Sequence, residues 1–416
     1  MSPSSPFGVD RVITPMTIEQ FMAKHFEREP LLLRRRNPDH YRGLFSLDAF
    51  DDFLSAQVLH FTRVFAVDAK RRIQGEEFSD REGRVDVRRL YQLFGAGATL
   101  VIDKMHEYFP QIAALCRSFE QTLECPFEAN MYLTPANSQC FAAHHDSEDV
   151  YILQLAGSKC WRLWAPLIEL PLHHQHSYGY GEELGAPLHE LILNASDLLY
   201  LPRGTPHEVR SLDEISLHIT LAPQVYTWSQ LITRAMEQVF MTDPSFRASL
   251  PPGFATGRIE PDALECSFRR LLAKLSQSIQ MRPAVDSIAE EFVSTRAPVL
   301  PRQSHNLLVV DALQANDWLG ARPGLIYREI QMEQSIILQC QGTEISFPLC
   351  AAQDLIFALN TPAFQIDSMP GPLDLQSKLV LVRRLVREGL VTILDRPAMS
   401  SETVHALETS GRLHFA

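Results

Sequence analysis

Residues 141–164 read FAAHHDSEDVYILQLAGSKCWRLW, and this stretch decides the fold. Its segments DVYILQLAG and KCWRLW are rich in β-branched and aromatic residues and meet at Ala156-Gly157-Ser158, the pattern of a β-hairpin. The same texture continues outward, with NMYLT (130–134) before it and HELIL (189–193), DLLYLPRG (197–204), HEVRS (207–211) and ISLHITLAP (215–223) after it. From about 130 to 224, turn residues recur at short intervals and no long helical period appears. An antiparallel sandwich or barrel is the expectation.

The chemistry lies in the same segment. In a strand, residues two apart share a face, so His144 and Asp146 project together while His145 points away. A third ligand is available in His207, which follows a strand and the turn Pro202-Arg203-Gly204-Thr205 and stands 61 positions beyond Asp146. Two imidazoles and one carboxylate leave three octahedral positions open, which suits a non-haem Fe(II) oxygenase; the same donors can hold the zinc of a hydrolase. Lys159 sits just after the hairpin turn and has two readings. It is either a surface lysine lying along Trp161 or an ammonium buried in the barrel mouth, where it needs an acidic cosubstrate as partner.

Composition bounds the rest. At 416 residues the chain exceeds one compact core, so two or three domains are expected. With 45% hydrophobic and 21% charged residues it is neither a disordered chain nor a membrane protein. No apolar run reaches the roughly 20 residues that cross a bilayer, and MSPSSPFGVDRVITP lacks the apolar stretch of a signal peptide. A soluble, cytoplasmic protein with no membrane partner is the expectation. The 38 Lys+Arg against 50 Asp+Glu give a net charge of -12, which disfavours direct nucleic-acid binding. Seven cysteines without a CxxC pair argue against a disulfide framework or zinc ribbon and agree with a reducing compartment.

Near the start, Thr17 caps a helix and Gln20 completes a capping box. LLLRRR (31–36) reads as a short buried strand ending in three solvated cations, Arg34, Arg35 and Arg36. After Tyr226 the period changes to three and four: Trp228, Leu231, Ile232, Ala235, Met236, Val239 and Phe240 form a helix that Asp243-Pro244 stops. Two further helical runs follow, through Leu264–Ile279 and Ile288–Val293, giving a helical subdomain or an oligomer interface. Beyond Pro298–Pro301, the strands SIILQC and EISFP mix with helices at about 350–359 and 373–388, the latter ending at Gly389 before LVTIL. That order suggests a winged helix. Arg383, Arg384 and Arg387 are phosphate contacts or a soluble surface, and a structural or protein-interaction role is favoured.

Taken together, NMYLTPANSQCFAAHHDSEDVYILQLAGSKCWRLW, ELGAPLHELILNASDLLYLPRGTPH and SLHITL resemble the JmjC-type ribosomal oxygenases, Fe(II)- and 2-oxoglutarate-dependent protein hydroxylases of the cupin superfamily. FEREPLLLRRRNPDHYRGLFS and TWSQLITRAMEQVF extend the likeness over most of the first 250 residues. The resemblance implies a mixed β and α protein with a double-stranded β-helix (jelly-roll) core. The expected units are a JmjC/cupin catalytic domain at 1–224, a helical dimerisation domain at 225–312 and a winged-helix-like domain at 313–416. It makes His144, Asp146 and His207 the iron ligands, Lys159, Asn130 and His218 cosubstrate-binding residues, and Tyr132 a substrate contact. The implied reaction uses 2-oxoglutarate and O2 to hydroxylate a His or Arg β-carbon of a ribosomal or other protein, in a homodimer. Alternatives are N-methyl-lysine demethylation by the same chemistry and a non-catalytic metal-binding cupin interaction module. The chain departs from the family at His145 and Ser147, where Tyr and Asp are common, at Leu221-Ala222, where Ser is common, and near Val101, where Arg is expected. The metal site is retained while its rim has changed, so substrate identity is what the resemblance leaves open.

Overall fold

The computed structural model describes residues 7–175, 177–178, 180 and 184–395. The chain forms two compact units, Met1–Thr227 and Trp228–Ala416. In the first, a seven-stranded sheet runs in the order Leu31–Leu33, Leu198–Leu201, Val150–Ala156, Ser216–Pro223, Phe127–Thr134, Thr99–Ile102, Val64–Val67. A five-stranded sheet runs Ser177–Tyr178, His144–His145, His207–Ser211, Lys159–Leu163, His189–Leu193. Every pairing in both sheets is antiparallel.

The period of two along these strands sorts side chains into two environments. On Phe127–Thr134 the residues Phe127, Ala129, Met131 and Leu133 enter the main apolar core, as do Leu217, Ile219 and Leu221 of the neighbouring strand. That core packs the outer face of the large sheet against the helices Ile18–Lys24, Leu47–Ala56 and Pro110–Leu123 through Phe21, Phe50 and Phe119. Each such side chain, fully buried, contributes roughly 1.5–3 kcal/mol. The alternate positions turn inward to the small sheet. Val150, Ile152, Leu199 and Leu201 meet Trp161, Leu163 and Leu193 in a second cluster that bonds the two sheets face to face. Asn130, Tyr132, Thr134, His218 and Thr220 point the same way but find a cavity instead of an apolar partner.

Local signals explain how the first unit is closed. Thr17 and Gln20 form the expected capping box on Ile18–Lys24. Leu31–Leu33 pairs with Leu198–Leu201 at the edge of the large sheet. Arg34 and Arg36 are exposed as expected, but Arg35 is not a solvated strand end. Its guanidinium donates to the Tyr41 hydroxyl (2.9 Å) and to the carbonyls of Ser196 (3.1 Å), Thr14 (3.2 Å) and Val12, so it knits the N-terminal segment to the turn before Leu198. A cation beside four backbone and hydroxyl acceptors is held by them, which sequence spacing does not reveal.

In the second unit, helices Trp228–Thr242 and Met281–Ser294 are joined by Arg234, which donates to Ser287 (2.8 Å) and Glu291 (2.7 Å). Trp228, Ile232 and, on the helix Pro261–Ser278, Phe268 and Leu272 are exposed. Two three-stranded sheets follow, with helices Ala352–Asn360 and Leu375–Arg387 packed in one core with them. Gly389, at φ 75°, ends the last helix before Val391–Ile393. The three arginines of that helix are engaged within the unit: Arg383 on the Leu313 carbonyl, Arg384 on the Ser346 carbonyl and over Phe347, Arg387 on Asp311.

The hairpin turn before Lys159 offers a direct test. Gly157 has φ +64°, and a Cβ there would lie 2.1 Å from the Ile215 carbonyl oxygen. Gly157→Ala is therefore expected to lower stability by more than about 1 kcal/mol, read as a fall in the urea midpoint. An unchanged midpoint would mean that the turn tolerates a side chain.

Candidate metal centre

His144 and His207 are direct partners across the antiparallel strands of the small sheet. The strand of His144 ends at His145, so Asp146 stands just beyond it, yet its carboxylate still falls on the His144 side. Asp146 Oδ1 is 3.8 Å from His144 Nε2, and Oδ2 is 3.7 Å from His207 Nε2. One donor atom from each of the three lies within 4.8 Å of the other two, within reach of a single ion. It is the one such group of three among the described residues.

The histidines are oriented by their second nitrogens. His144 Nδ1 donates to the Ala142 carbonyl (2.8 Å) and His207 Nδ1 to the Thr205 carbonyl (3.0 Å). Each bond fixes the tautomer and leaves an Nε2 lone pair facing Asp146. Burial and the nearby His144 ring push the His207 imidazole down to about 4, so it is neutral at physiological pH and ready to ligate. Two imidazoles and a carboxylate fit a first-row divalent ion with open positions. His145 turns the other way, with Nδ1 on the Tyr180 hydroxyl (2.5 Å) and Nε2 on the Gln175 carbonyl (2.8 Å). It holds the neighbouring loop and takes no part in the triad.

The triad opens into a cavity of about 260 Å³ between the sheets. Lys159 lies in its wall, only 2% exposed, which excludes the surface-lysine reading. Its ammonium donates to Thr134 Oγ1 (2.9 Å) and to His218 Nδ1 (2.9 Å). No carboxylate pairs it among the described residues, and burial lowers its pKa to about 7. His218, accepting at Nδ1, carries its proton on Nε2; burial and then Lys159 hold its pKa well below the usual histidine range. Tyr132 stacks on the His218 ring at 4.8 Å and 13°. Asn130 accepts from the Lys104 amide (2.9 Å) through Oδ1, which leaves its NH2 group as a donor at the cavity wall.

All seven residues singled out from sequence thus line one cavity. Sequence reasoning missed Thr134, although its spacing from Asn130 and Tyr132 puts it on their face, and Thr99, whose hydroxyl supports Thr134 (3.1 Å). It also missed Trp161 as a wall residue, its ring 5.6 Å from His207.

Comparison with known proteins agrees with this geometry. The JmjC domain family model matches residues 104–231. That stretch is a JmjC domain. All seven site residues lie inside it, as the sequence resemblance required. The chain is 31% identical over 314 residues to a Drosophila mojavensis protein described as bifunctional lysine-specific demethylase and histidyl-hydroxylase NO66, matching 70% of this chain and 35% of that one. It is 28% identical over 350 residues to human ribosomal oxygenase 1, matching 80% of this chain and 54% of that one. The chain spans about a third to three-fifths of the length of such curated relatives. Among solved structures, the Escherichia coli ribosomal oxygenase YcfD in complex with cobalt and 2-oxoglutarate shares the fold, with a TM-score of 0.53 and 16% identity over 92% of this chain and 99% of that one. The resemblance to JmjC-type ribosomal oxygenases is borne out, and the first unit has a cupin-type fold built of antiparallel sheets.

The buried lysine of the JmjC domain would make the binding of an anionic ligand pH-dependent. A dicarboxylate docked on Lys159 would bind its protonated ammonium, which is lost as the pH rises through about 7. The dissociation constant of succinate is therefore expected to be flat below about pH 7 and to rise about tenfold per pH unit above it. Lys159→Met should weaken binding and flatten the profile in calorimetric titrations; a pH-dependence that survives in the variant would assign it to another group.

Proposed function

We propose that this protein is an Fe(II)- and 2-oxoglutarate-dependent dioxygenase that hydroxylates the β-carbon of a His or Arg side chain in a ribosomal protein. The observation that carries this reading is the shared cavity: a two-His, one-carboxylate triad and a fully buried, carboxylate-free lysine open into the same space. A hydrolase would need no such cation.

His144, Asp146 and His207 would hold the iron. Bound iron, 2-oxoglutarate and O2 supply the oxidising power for C–H hydroxylation, with succinate and CO2 as by-products. The chain's own residues bind, orient and shield. Lys159 and the Thr134 hydroxyl receive the distal carboxylate, which repays the cost of burying the ammonium. His218 stays neutral, anchors Lys159 through Nδ1 and offers Nε2–H as a further donor. Val150, Ile152, Trp161 and Val209 form an apolar wall that limits water. Asn130 and Tyr132 stand on the strand beside His218 and take the donor and aromatic roles at the cosubstrate and substrate end.

The same reading extends to the remaining parts of the chain. Residues 225–312 serve as a helical dimerisation domain, supported by the exposed Trp228, Ile232, Phe268 and Leu272. Residues 313–395 form the described part of a winged-helix-like domain with a structural or protein-interaction role, and 396–416 lie outside the described residues. Direct nucleic-acid binding is disfavoured because Arg383, Arg384 and Arg387 already have partners. No described helix is long and apolar enough to cross a membrane, and the proposed location is the cytoplasm. N-methyl-lysine demethylation is the second reading, favoured only by the description of relatives such as the Drosophila mojavensis protein.

Mass spectrometry of ribosomal proteins incubated with the enzyme, iron and 2-oxoglutarate separates these readings. The expected result is the mass gain of one oxygen atom on a His or Arg, matched by succinate. His144→Ala should lower both by more than about a hundredfold. Formaldehyde release from methylated peptides would favour demethylation, and undiminished turnover by His144→Ala would refute the ligand assignment.

A further inference from the structure

The ligands Asp146 and His207 come from segments far apart in sequence, and one buried carboxylate outside the triad ties those segments together. Asp149 is 1% exposed and begins just after the ligand segment, ahead of the strand Val150–Ala156. Its Oδ1 accepts from the Arg203 backbone N–H (2.9 Å) and its Oδ2 from the Tyr200 hydroxyl (2.7 Å). Tyr200 is the donor to that carboxylate, and its oxygen accepts in turn from the Glu27 N–H (2.8 Å). Arg203 Nη2 in turn pairs with Glu27 Oε1 at 2.8 Å.

The turn that Asp149 grips is the turn that shapes the metal site. Pro202 and Thr205 close it through a backbone bond of 3.2 Å, and the Gly204 N–H donates to the Asp146 carbonyl (2.9 Å). The Thr205 carbonyl accepts from His207 Nδ1 (3.0 Å), which fixes the tautomer and the direction of Nε2. Gly204 has φ +82°, and a Cβ there would meet the Ile168 carbonyl oxygen at 2.3 Å, so the turn has little room to shift.

We propose that Asp149 is a positioning residue for the metal site, locking the 202–205 turn so that Asp146 and His207 face one ion at the spacing required. The proposal rests on the reading that the triad holds a divalent metal. It assigns Tyr200 as the second half of the lock: the Tyr200 O–H and the Arg203 N–H are both donors, and only a carboxylate offers an acceptor to each. Asn at position 149 keeps the shape but replaces one acceptor oxygen with an NH2, so either the Tyr200 O–H or the Arg203 N–H loses its acceptor.

The test is calorimetric titration of the purified chain with Mn(II), a redox-stable probe, alongside thermal melting of the metal-free protein. Asp149→Asn is expected to raise the Mn(II) dissociation constant about tenfold in protein that remains folded. Tyr200→Phe, which removes the hydroxyl and with it the bonds to Asp149 and to the Glu27 N–H, should raise it roughly threefold. A lower melting temperature with unchanged Mn(II) affinity would show a purely structural role and overturn the proposal. Should Asp149→Asn fail to fold, Tyr200→Phe decides by the same criterion. Wild-type protein that binds Mn(II) at the triad but never consumes 2-oxoglutarate would remove the oxygenase reading and leave this inference standing.

Discussion

Everything in the first unit depends on the two-residue alternation of the strands Phe127–Thr134, Val150–Ala156 and Ser216–Pro223. One set of side chains, Phe127 through Leu133 and Leu217 through Leu221, is committed to the apolar core against the outer helices. Because that core fixes the register, the alternate set has no choice of direction, and a slip of one residue would exchange the two. Tyr132, Thr134 and His218 are thus driven toward the small sheet, where His144, His207 and Lys159 meet them. A cavity between well-packed sheets is a local loss of contact, and the energy of the surrounding core allows it to persist.

Within that cavity the electrostatics are asymmetric. At the triad, backbone carbonyls accept the Nδ1 protons of both histidines and burial keeps His207 neutral, so both Nε2 atoms face the Asp146 carboxyl group. At Lys159 the situation is reversed: a cation sits among neutral acceptors, its pKa lowered by burial. An anionic ligand with a chelating end and a distal carboxylate satisfies both ends at once, which neither a neutral substrate nor a free metal ion would do. That is why the lysine carries as much of the functional argument as the metal ligands.

Much of this was legible in the sequence, for physical reasons that can be named. His144, Asp146 and His207 could be found because metal ligation demands particular residue types, and the Pro-Arg-Gly-Thr turn marks where a strand releases its ligand. The helices from Trp228 onward were visible through their 3.6-residue stripe, and Gly389 marked a helix end because the positive φ found there favours glycine. Residues 47–123 gave little, since Val64–Val67 and Thr99–Ile102 are four residues each and too short to show a period. Arg35 and Asp149 were opaque for a different reason. A charged residue at a strand end looks solvated in sequence, and only the tertiary arrangement shows that Arg35 caps four acceptors and that Asp149 is buried beneath two donors.

The central claim is that one ferrous ion and one 2-oxoglutarate occupy this cavity together. Anaerobic titration with Fe(II) in the presence of 2-oxoglutarate, followed by visible absorption, tests it most directly. The account predicts a charge-transfer band that saturates at one iron per chain, requires both components and disappears in His207→Ala. A band that never forms, or one that persists unchanged in that variant, would contradict it.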